Sequence, residues 1–263
     1  MSNDKTSPAQ TSGKYASVNG INMYYELHGS GKPLVLIHGG GSTITTTFGK
    51  VLPPFAATHM VIAVELQAHG HTSDRDAPES FEQDAADVIE LLRQLNIGKA
   101  DIFGFSNGGQ TAMEIGINYP QVVGKLVIAS AFYNREGAPA GFWDGFDQVK
   151  LSDMPQVYQD EFLKVNNNPA ALQKMFNRDV ERMSSFKGWT EEDLRSIQAP
   201  TLVVAGDRDL PTHEHLVEMC RLLPNSRLAI LPGNHGSYMG EILTANAGSK
   251  IPDLFLWRWW KNF

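Results

Sequence analysis

The stretch Asp101-Ile102-Phe103-Gly104-Phe105-Ser106-Asn107-Gly108-Gly109-Gln110 decides how this chain is read. An apolar run closes at Gly104, a serine stands between two glycines, and an amphipathic segment follows through Thr111, Ala112, Met113, Ile115, Gly116 and Tyr119. That is a G-x-S-x-G spacing between a strand pattern and a helix pattern, the context in which the motif carries chemistry. A serine so placed occupies a turn sharp enough to point its hydroxyl outward from a strained backbone. Side chains at Gly104 or Gly108 would collide with the neighbouring strand or helix. The serine also lies at a helix N-terminus, where backbone N–H groups and the helix dipole favour developing negative charge. A Gly/Ser turn without chemistry is the plainer alternative; the flanking strand and helix argue for a nucleophile at Ser106.

Upstream, Pro33 to Ile37 is a continuous apolar strand of the kind buried on both faces of a parallel sheet, and it runs into His38-Gly39-Gly40-Gly41-Ser42. Glycines there leave backbone N–H groups free to approach a ligand. Beside a nucleophile, the N–H groups of Gly40 and Asn107 are the expected oxyanion donors. His38, at the strand end, reads as structural. Before it, Ser17 to Glu26 reads as a hairpin turning on Asn19-Gly20. Met60 to Val64 is another strand, ending in Glu65-Leu66-Gln67-Ala68-His69-Gly70-His71. Two histidines at i, i+2 without a third ligand at matching spacing suit a packed loop better than a metal site. Ser80-Phe81-Glu82-Gln83 has the form of a capping box, and Phe81, Ala85, Val88, Ile89, Leu92 and Leu95 make the helical stripe behind it, with Gly98 as its stop.

Downstream, Lys125 to Ala129 is one more strand, and the strand–helix alternation then pauses. Residues 131–190 mix aromatics, prolines and helical pieces, and are expected to form a helical cap over the strand C-termini, where open α/β sheets bind ligands. Most of their aromatics should pack helices together, with a few facing the pocket. Alternation resumes with the strand 201–205, a helix near 213–223, and the strand 227–231. A serine hydroxyl needs a base, and the base needs an orienting carboxylate. Gly206-Asp207-Arg208-Asp209 follows the first of these strands and Gly233-Asn234-His235-Gly236 the second. His235 is the expected base. Asp209 and Asp207 compete as its partner, the other fixing the turn or capping the following helix. Asp209 is preferred because it lies two residues farther beyond the strand end.

These motifs together resemble the α/β-hydrolase fold superfamily, from the hairpin near residue 17 through His235. The matching residues are His38-Gly39-Gly40-Gly41, Gly104-Phe105-Ser106-Asn107-Gly108, Gly206-Asp207-Arg208-Asp209 and Gly233-Asn234-His235-Gly236. The resemblance implies an α/β fold with a doubly wound, mostly parallel sheet and an inserted α-helical cap. It implies a triad of Ser106, Asp209 and His235, since the second acid of G-D-x-D is the usual member, and oxyanion donors at Gly40 and Asn107. Glu65 and Ala68 depart from the D-x-x-G that many members carry before this loop, with no catalytic consequence. Serine at the nucleophile position excludes the aspartate chemistry of epoxide hydrolases and haloalkane dehalogenases.

The expected organisation is therefore a disordered lead over 1–14, a core over 15–130 and 191–263, and the cap over 131–190. A formal net charge of −7 argues against a nucleic-acid surface. One cysteine, Cys220, excludes an internal disulfide and any cysteine-rich metal site, and its apolar helical setting predicts a buried thiol. A polar N-terminus without an apolar h-region, and no apolar run near the roughly 20 residues a bilayer requires, lead to the expectation of a cytoplasmic protein without an integral membrane segment. The functional expectation is hydrolysis of a small, partly apolar ester or lactone, a small-molecule substrate, with no metal or organic cofactor. C–C bond hydrolysis, perhydrolysis, a lyase reaction, a slow ligand receptor and a pseudoenzyme are the alternatives on the same framework. Residues 251–263 carry three tryptophans and two phenylalanines. They are read as a last helix packed on the sheet, ahead of a homodimer contact or a membrane-surface patch.

Overall fold

A computed structural model of the chain describes residues 13–245. Strands β1 (Lys14–Val18) and β2 (Ile21–His28) form the hairpin, and Asn19 and Gly20 take the positive φ of a two-residue turn, 41° and 90°. Strand β3 (Lys32–Ile37) leads through α1 (Ile44–Phe48) and α2 (Leu52–Ala56) to β4 (His59–Val64). Then come α3 (Phe81–Gln94), β5 (Ala100–Phe105), α4 (Asn107–Asn118) and β6 (Val123–Ala129). Helices α5 (Gln156–Val165), α6 (Pro169–Ser185) and α7 (Glu191–Ser196) precede β7 (Thr201–Arg208), α8 (His213–Leu222), β8 (Ser226–Asn234) and α9 (Ile242–Ala245).

The eight strands form one sheet in the order β1-β2-β4-β3-β5-β6-β7-β8, antiparallel at the β1–β2 and β2–β4 pairs and parallel elsewhere. The chain leaves β3 for β4 on one side and returns to β5 on the other. Between β3 and β5 the winding therefore reverses, and in such sheets the crevice beyond the carboxyl ends at that point is where ligands bind. Period-two alternation divides the core. Val35, Ile37, Ile62, Ile102 and Val203 face the side carrying α3, α4, α7 and α8, whereas Leu34, Leu36, Val61, Phe103 and Val204 face Phe48 and Phe55 of α1 and α2.

The segment between β6 and β7 runs through turns and short 3-10 pieces to Pro155 and then forms α5, α6 and α7. It packs through two apolar clusters, one around Met154, Phe162, Leu172 and Met175, the other around Phe132, Met183 and Phe186. Local readings fail at four places. Lys14, placed in the lead, pairs with Tyr25 as the first residue of β1. Ser80 caps α3 by accepting the Gln83 N–H, but the Gln83 side chain bonds Asp87 instead of closing the box. Asn96 (φ 58°), not Gly98, ends α3: its N–H reaches Arg93 and that of Ile97 reaches Leu92, a Schellman pair. Cys220 is half-buried, its sulfur 3.1 Å from Ser226 Oγ. The readings made for residues 1–12 and for the aromatic run 251–263 lie outside the described residues. Among those described, no helix is long and apolar enough to cross a membrane.

Candidate active site

Ser106 joins β5 to α4 at φ 53° and ψ −122°, a conformation that costs a non-glycine residue energy. Its neighbours hold it there: its N–H donates to Ala129 O at 2.8 Å and its carbonyl accepts the Gly109 N–H at 2.7 Å. The turn is tight enough to forbid side chains beside it. A Cβ on Gly104 would lie 1.8 Å from Gly108 O, and one on Gly108 would lie 2.2 Å from Ile37 O. Ser106 borders a cavity of about 310 Å³, lined on the sheet side by Gly40 and Asn107 and on the other by Phe142, Phe146 and Phe176. Phe132, Val149, Met154, Val180 and Leu210 extend the apolar wall, while Ser106, Asn107, Gln110 and Asp179 supply polar groups, so the cavity is an apolar body with a few polar groups.

Asp209 and His235 meet across the ends of β7 and β8, with His235 Nδ1 donating to Asp209 Oδ1 at 2.5 Å. Asp209 has no exposed side-chain surface, and His235 is 24% exposed. Burial pushes the Asp209 carboxyl up, but bonds from His235, Ser130 and the Gly206 N–H outweigh it and hold the group below the usual carboxylate range. Asp207 is elsewhere: it accepts the Gly233 N–H at 2.8 Å and fixes the turn into which His235 is set. Thr212, not an aspartate, caps α8. The His235 ring packs on Phe105, the residue before Ser106, at 4.8 Å between ring centres. Ser106 and His235 are not hydrogen-bonded to one another. Such bonds often tighten only with substrate in place.

Ser130 and Tyr238, which sequence reasoning missed, complete this corner. Ser130, directly after β6, has φ 52°, donates to Asp209 Oδ2 at 2.5 Å, and lies 2.7 Å from the buried Tyr238 hydroxyl. A serine directly after an apolar strand, parallel to the one carrying Ser106, was the available signal.

The second unforeseen feature is a buried ionic cluster joining α6 to the loops after β3 and β4. Asp179 accepts from the Gly41 N–H at 2.6 Å, from His69 Nε2 at 3.1 Å, from Asn107 Nδ2 at 3.4 Å and from Arg182. Arg182 reaches on to Asp84 at 2.5 Å, with Glu79 at 3.3 Å. The hydrogen bonds fix two histidine states. His38 Nδ1 donates to Gly39 O at 2.7 Å while Nε2 accepts the Leu66 N–H at 3.0 Å, so the ring is neutral. His69 donates from both nitrogens, Nδ1 to Gln67 O at 2.8 Å and Nε2 to Asp179, so it is an imidazolium. Burial alone would depress His69, but the Asp179 charge and hydrogen bond, with Glu79 beyond, raise it to about 9. A folded-state pKa above the unfolded value stabilises fully below about pH 6.5, and the contribution is lost as pH rises through about 9. Urea unfolding should show His69→Gln less stable than the parent by on the order of 3 kcal/mol at pH 6, with most of that gap closed at pH 10. A pH-independent gap would remove the charge from His69.

Over most of its length the chain is similar to known proteins. The model of the alpha/beta hydrolase family matches residues 34–241. Human serine hydrolase BPHL is 29% identical over 261 residues, covering 94% of this chain and 86% of that protein. A putative non-heme chloroperoxidase of Synechocystis is 27% identical over 241 residues, covering 81% and 87%. Among solved structures, Est816, described as an N-acyl homoserine lactone degrading enzyme, superposes with a TM-score of 0.68 at 25% identity, covering 89% of this chain and 97% of that one.

Proposed function

The chain belongs to the alpha/beta hydrolase family and is a hydrolase-type enzyme, and from that premise we propose that it cleaves a small, partly apolar carboxylic ester or lactone through an acyl-enzyme on Ser106. The observation that carries the reading is Ser106 held at φ 53° on the cavity wall, with His235 packed on the neighbouring Phe105 ring and hydrogen-bonded to the buried Asp209 carboxylate. With Nδ1–H committed to Asp209, His235 keeps its Nε2 lone pair as the base. It takes the Ser106 proton as Oγ attacks the carbonyl carbon. Gly40 and Asn107 N–H groups stabilise the oxyanion, an effect worth about 2.7–4 kcal/mol per donor in comparable sites. The tetrahedral intermediate collapses, the C–O bond breaks, and the alkoxide leaves with the proton from His235. Water, deprotonated by the same histidine, then attacks the acyl carbon and frees Ser106. No step calls for a metal or organic cofactor.

The segment between β6 and β7 serves in this scheme as the cap, its Phe142, Phe146 and Phe176 receiving the apolar part of the substrate. The likeness to Est816, whose description names a lactone, supports including lactones beside open esters. With p-nitrophenyl butyrate the enzyme should turn over, and a fluorophosphonate should block turnover while labelling the peptide that contains Ser106, one label per chain. Labelling without turnover would favour a highly selective enzyme or a slow receptor. Absence of both would refute the assigned site.

A further inference from the structure

The buried face of α6 carries two charged residues among its apolar ones. Leu172, Met175 and Met183 are buried there, and Asp179 and Arg182 fall on the same stripe. Ion pairs taken out of water rarely repay their desolvation in stability alone, so the position of this one asks for another account. The Asp179 carboxylate is 13% exposed and borders the cavity that Ser106 borders. It grips both halves of the candidate oxyanion hole. On the loop side it accepts the Gly41 N–H at 2.6 Å, one residue from Gly40. On the helix side it accepts from the side-chain amide of Asn107 at 3.4 Å. The two halves touch at this point: a Cβ on Gly40 would fall 2.5 Å from Asn107 Nδ2 and 3.3 Å from Asp179 Oδ2.

The groups facing Asp179 hold it as an anion. His69, from the loop after β4, and Arg182, one turn along α6, both donate to it, and Arg182 is anchored in turn by Asp84 of α3. Burial would raise the Asp179 carboxyl, but the charges of His69 and Arg182 and the Gly41 bond hold it far below the carboxylate range. An acid held so firmly ionised, with its lone pairs engaged, is a poor proton carrier and a good strut.

We propose that Asp179 is a positioning residue for the oxyanion hole, a carboxylate from the helix above the site that ties the Gly41 N–H to the Asn107 side chain and so aims the Gly40 and Asn107 backbone N–H groups at one point beside Ser106. The inference rests on the esterase reading of the site. It makes α6 part of the catalytic geometry as well as a cover: any movement of α6 away from the sheet releases the glycine loop. Because the oxyanion forms only as Ser106 attacks, the effect falls on kcat and spares substrate binding.

The test uses p-nitrophenyl butyrate with the full chain. Asp179→Ala should lower kcat about 100-fold, the size of losing one oxyanion donor, with KM changed less than about threefold. Formate, small enough to fill the vacated place, should restore kcat at least tenfold. Asp179→Asn keeps an acceptor for Gly41 and should lie between the two, about tenfold down. A kcat for Asp179→Ala equal to the parent's overturns the proposal. So does a loss that formate does not relieve and that tracks thermal stability across the two variants, which marks a merely structural ion pair. Should the alanine variant not fold, the asparagine variant decides alone: a fall in kcat at constant KM supports the strut, and an unchanged kcat refutes it. Failure of the esterase reading is separate, because the parent enzyme would then neither turn over nor take the fluorophosphonate label.

Discussion

Ser106→Ala lowers kcat/KM for a p-nitrophenyl ester by about 10⁴- to 10⁶-fold, the range in which removing a triad serine leaves only the oxyanion donors and binding to act. The fold should survive the change. Ser106 Oγ makes no hydrogen bond among the described residues, while the bonds that hold the turn, to Ala129 O and from Gly109 N, are backbone bonds that alanine keeps. Melting temperature should move by only a few degrees. The control that gives the result meaning is Ser130→Ala. Both serines border the cavity, and both have left-handed φ, 53° and 52°. Ser130, however, is bound to Asp209 and Tyr238, and no helix N-terminus follows it to receive an oxyanion. Its loss removes a support of the Asp209 carboxylate, so a fall of about tenfold is expected, orders of magnitude short of that for Ser106. Equal losses at the two positions would mean that the nucleophile has been misassigned.

The contrast between these serines shows what the sequence could reveal. Ser106 was legible because everything that defines it is local: two glycines at fixed offsets, a strand before and a helix after. The sheet was legible for a related reason. Buried parallel strands such as Pro33–Ile37 and Thr201–Ala205 are continuous apolar runs that need no partner to be recognised. Asp209 and Asp207 could be ranked because distance beyond a strand end is also a local quantity, and the structure assigns them different partners, His235 Nδ1 and the Gly233 N–H.

The ionic cluster was not legible, because its members come from separate parts of the chain. Asp179 bonds His69 across 110 positions, and Arg182 bonds Asp84 across 98. On a helix, charged residues three apart ordinarily mark a solvated face. The warning sign was register: Asp179 and Arg182 stand seven and ten residues after Leu172, and four and seven after Met175, on the stripe that must be buried. A charge on such a stripe needs a partner, although the pattern cannot say which one. The errors around α3 are of the same kind. Asn96 and Gly98 could each end a helix, and Gln83 could close a capping box or turn to Asp87; in both cases packing made the choice.

Asp209→Asn is the most exacting test of the site, because the carboxylate has four donors and an amide can serve only half of them. Oδ1 accepts from His235 Nδ1 and from the Leu210 N–H at 2.7 Å; Oδ2 accepts from Ser130 Oγ and from the Gly206 N–H at 2.9 Å. If the new NH₂ faces His235, the imidazole can answer only by carrying its proton on Nε2. That tautomer cannot accept the proton of Ser106, and kcat should fall by about 10⁴, as when a triad aspartate is replaced at constant geometry. If the NH₂ turns the other way, it meets the Gly206 N–H. Two donors are then opposed in a site without exposed side-chain surface, at a cost of about 1–3 kcal/mol. The first arrangement also opposes the Leu210 N–H, so stability should drop in either case while the loss of activity reports which orientation prevails. Asp207→Asn supplies the comparison. Its carboxylate accepts one backbone N–H at the surface, which an amide oxygen also accepts, so kcat should stay within about threefold of the parent. A large loss at Asp207 with a small one at Asp209 would reverse the assignment of the two acids, and the reading of His235 as the base would have to be rebuilt around Asp207.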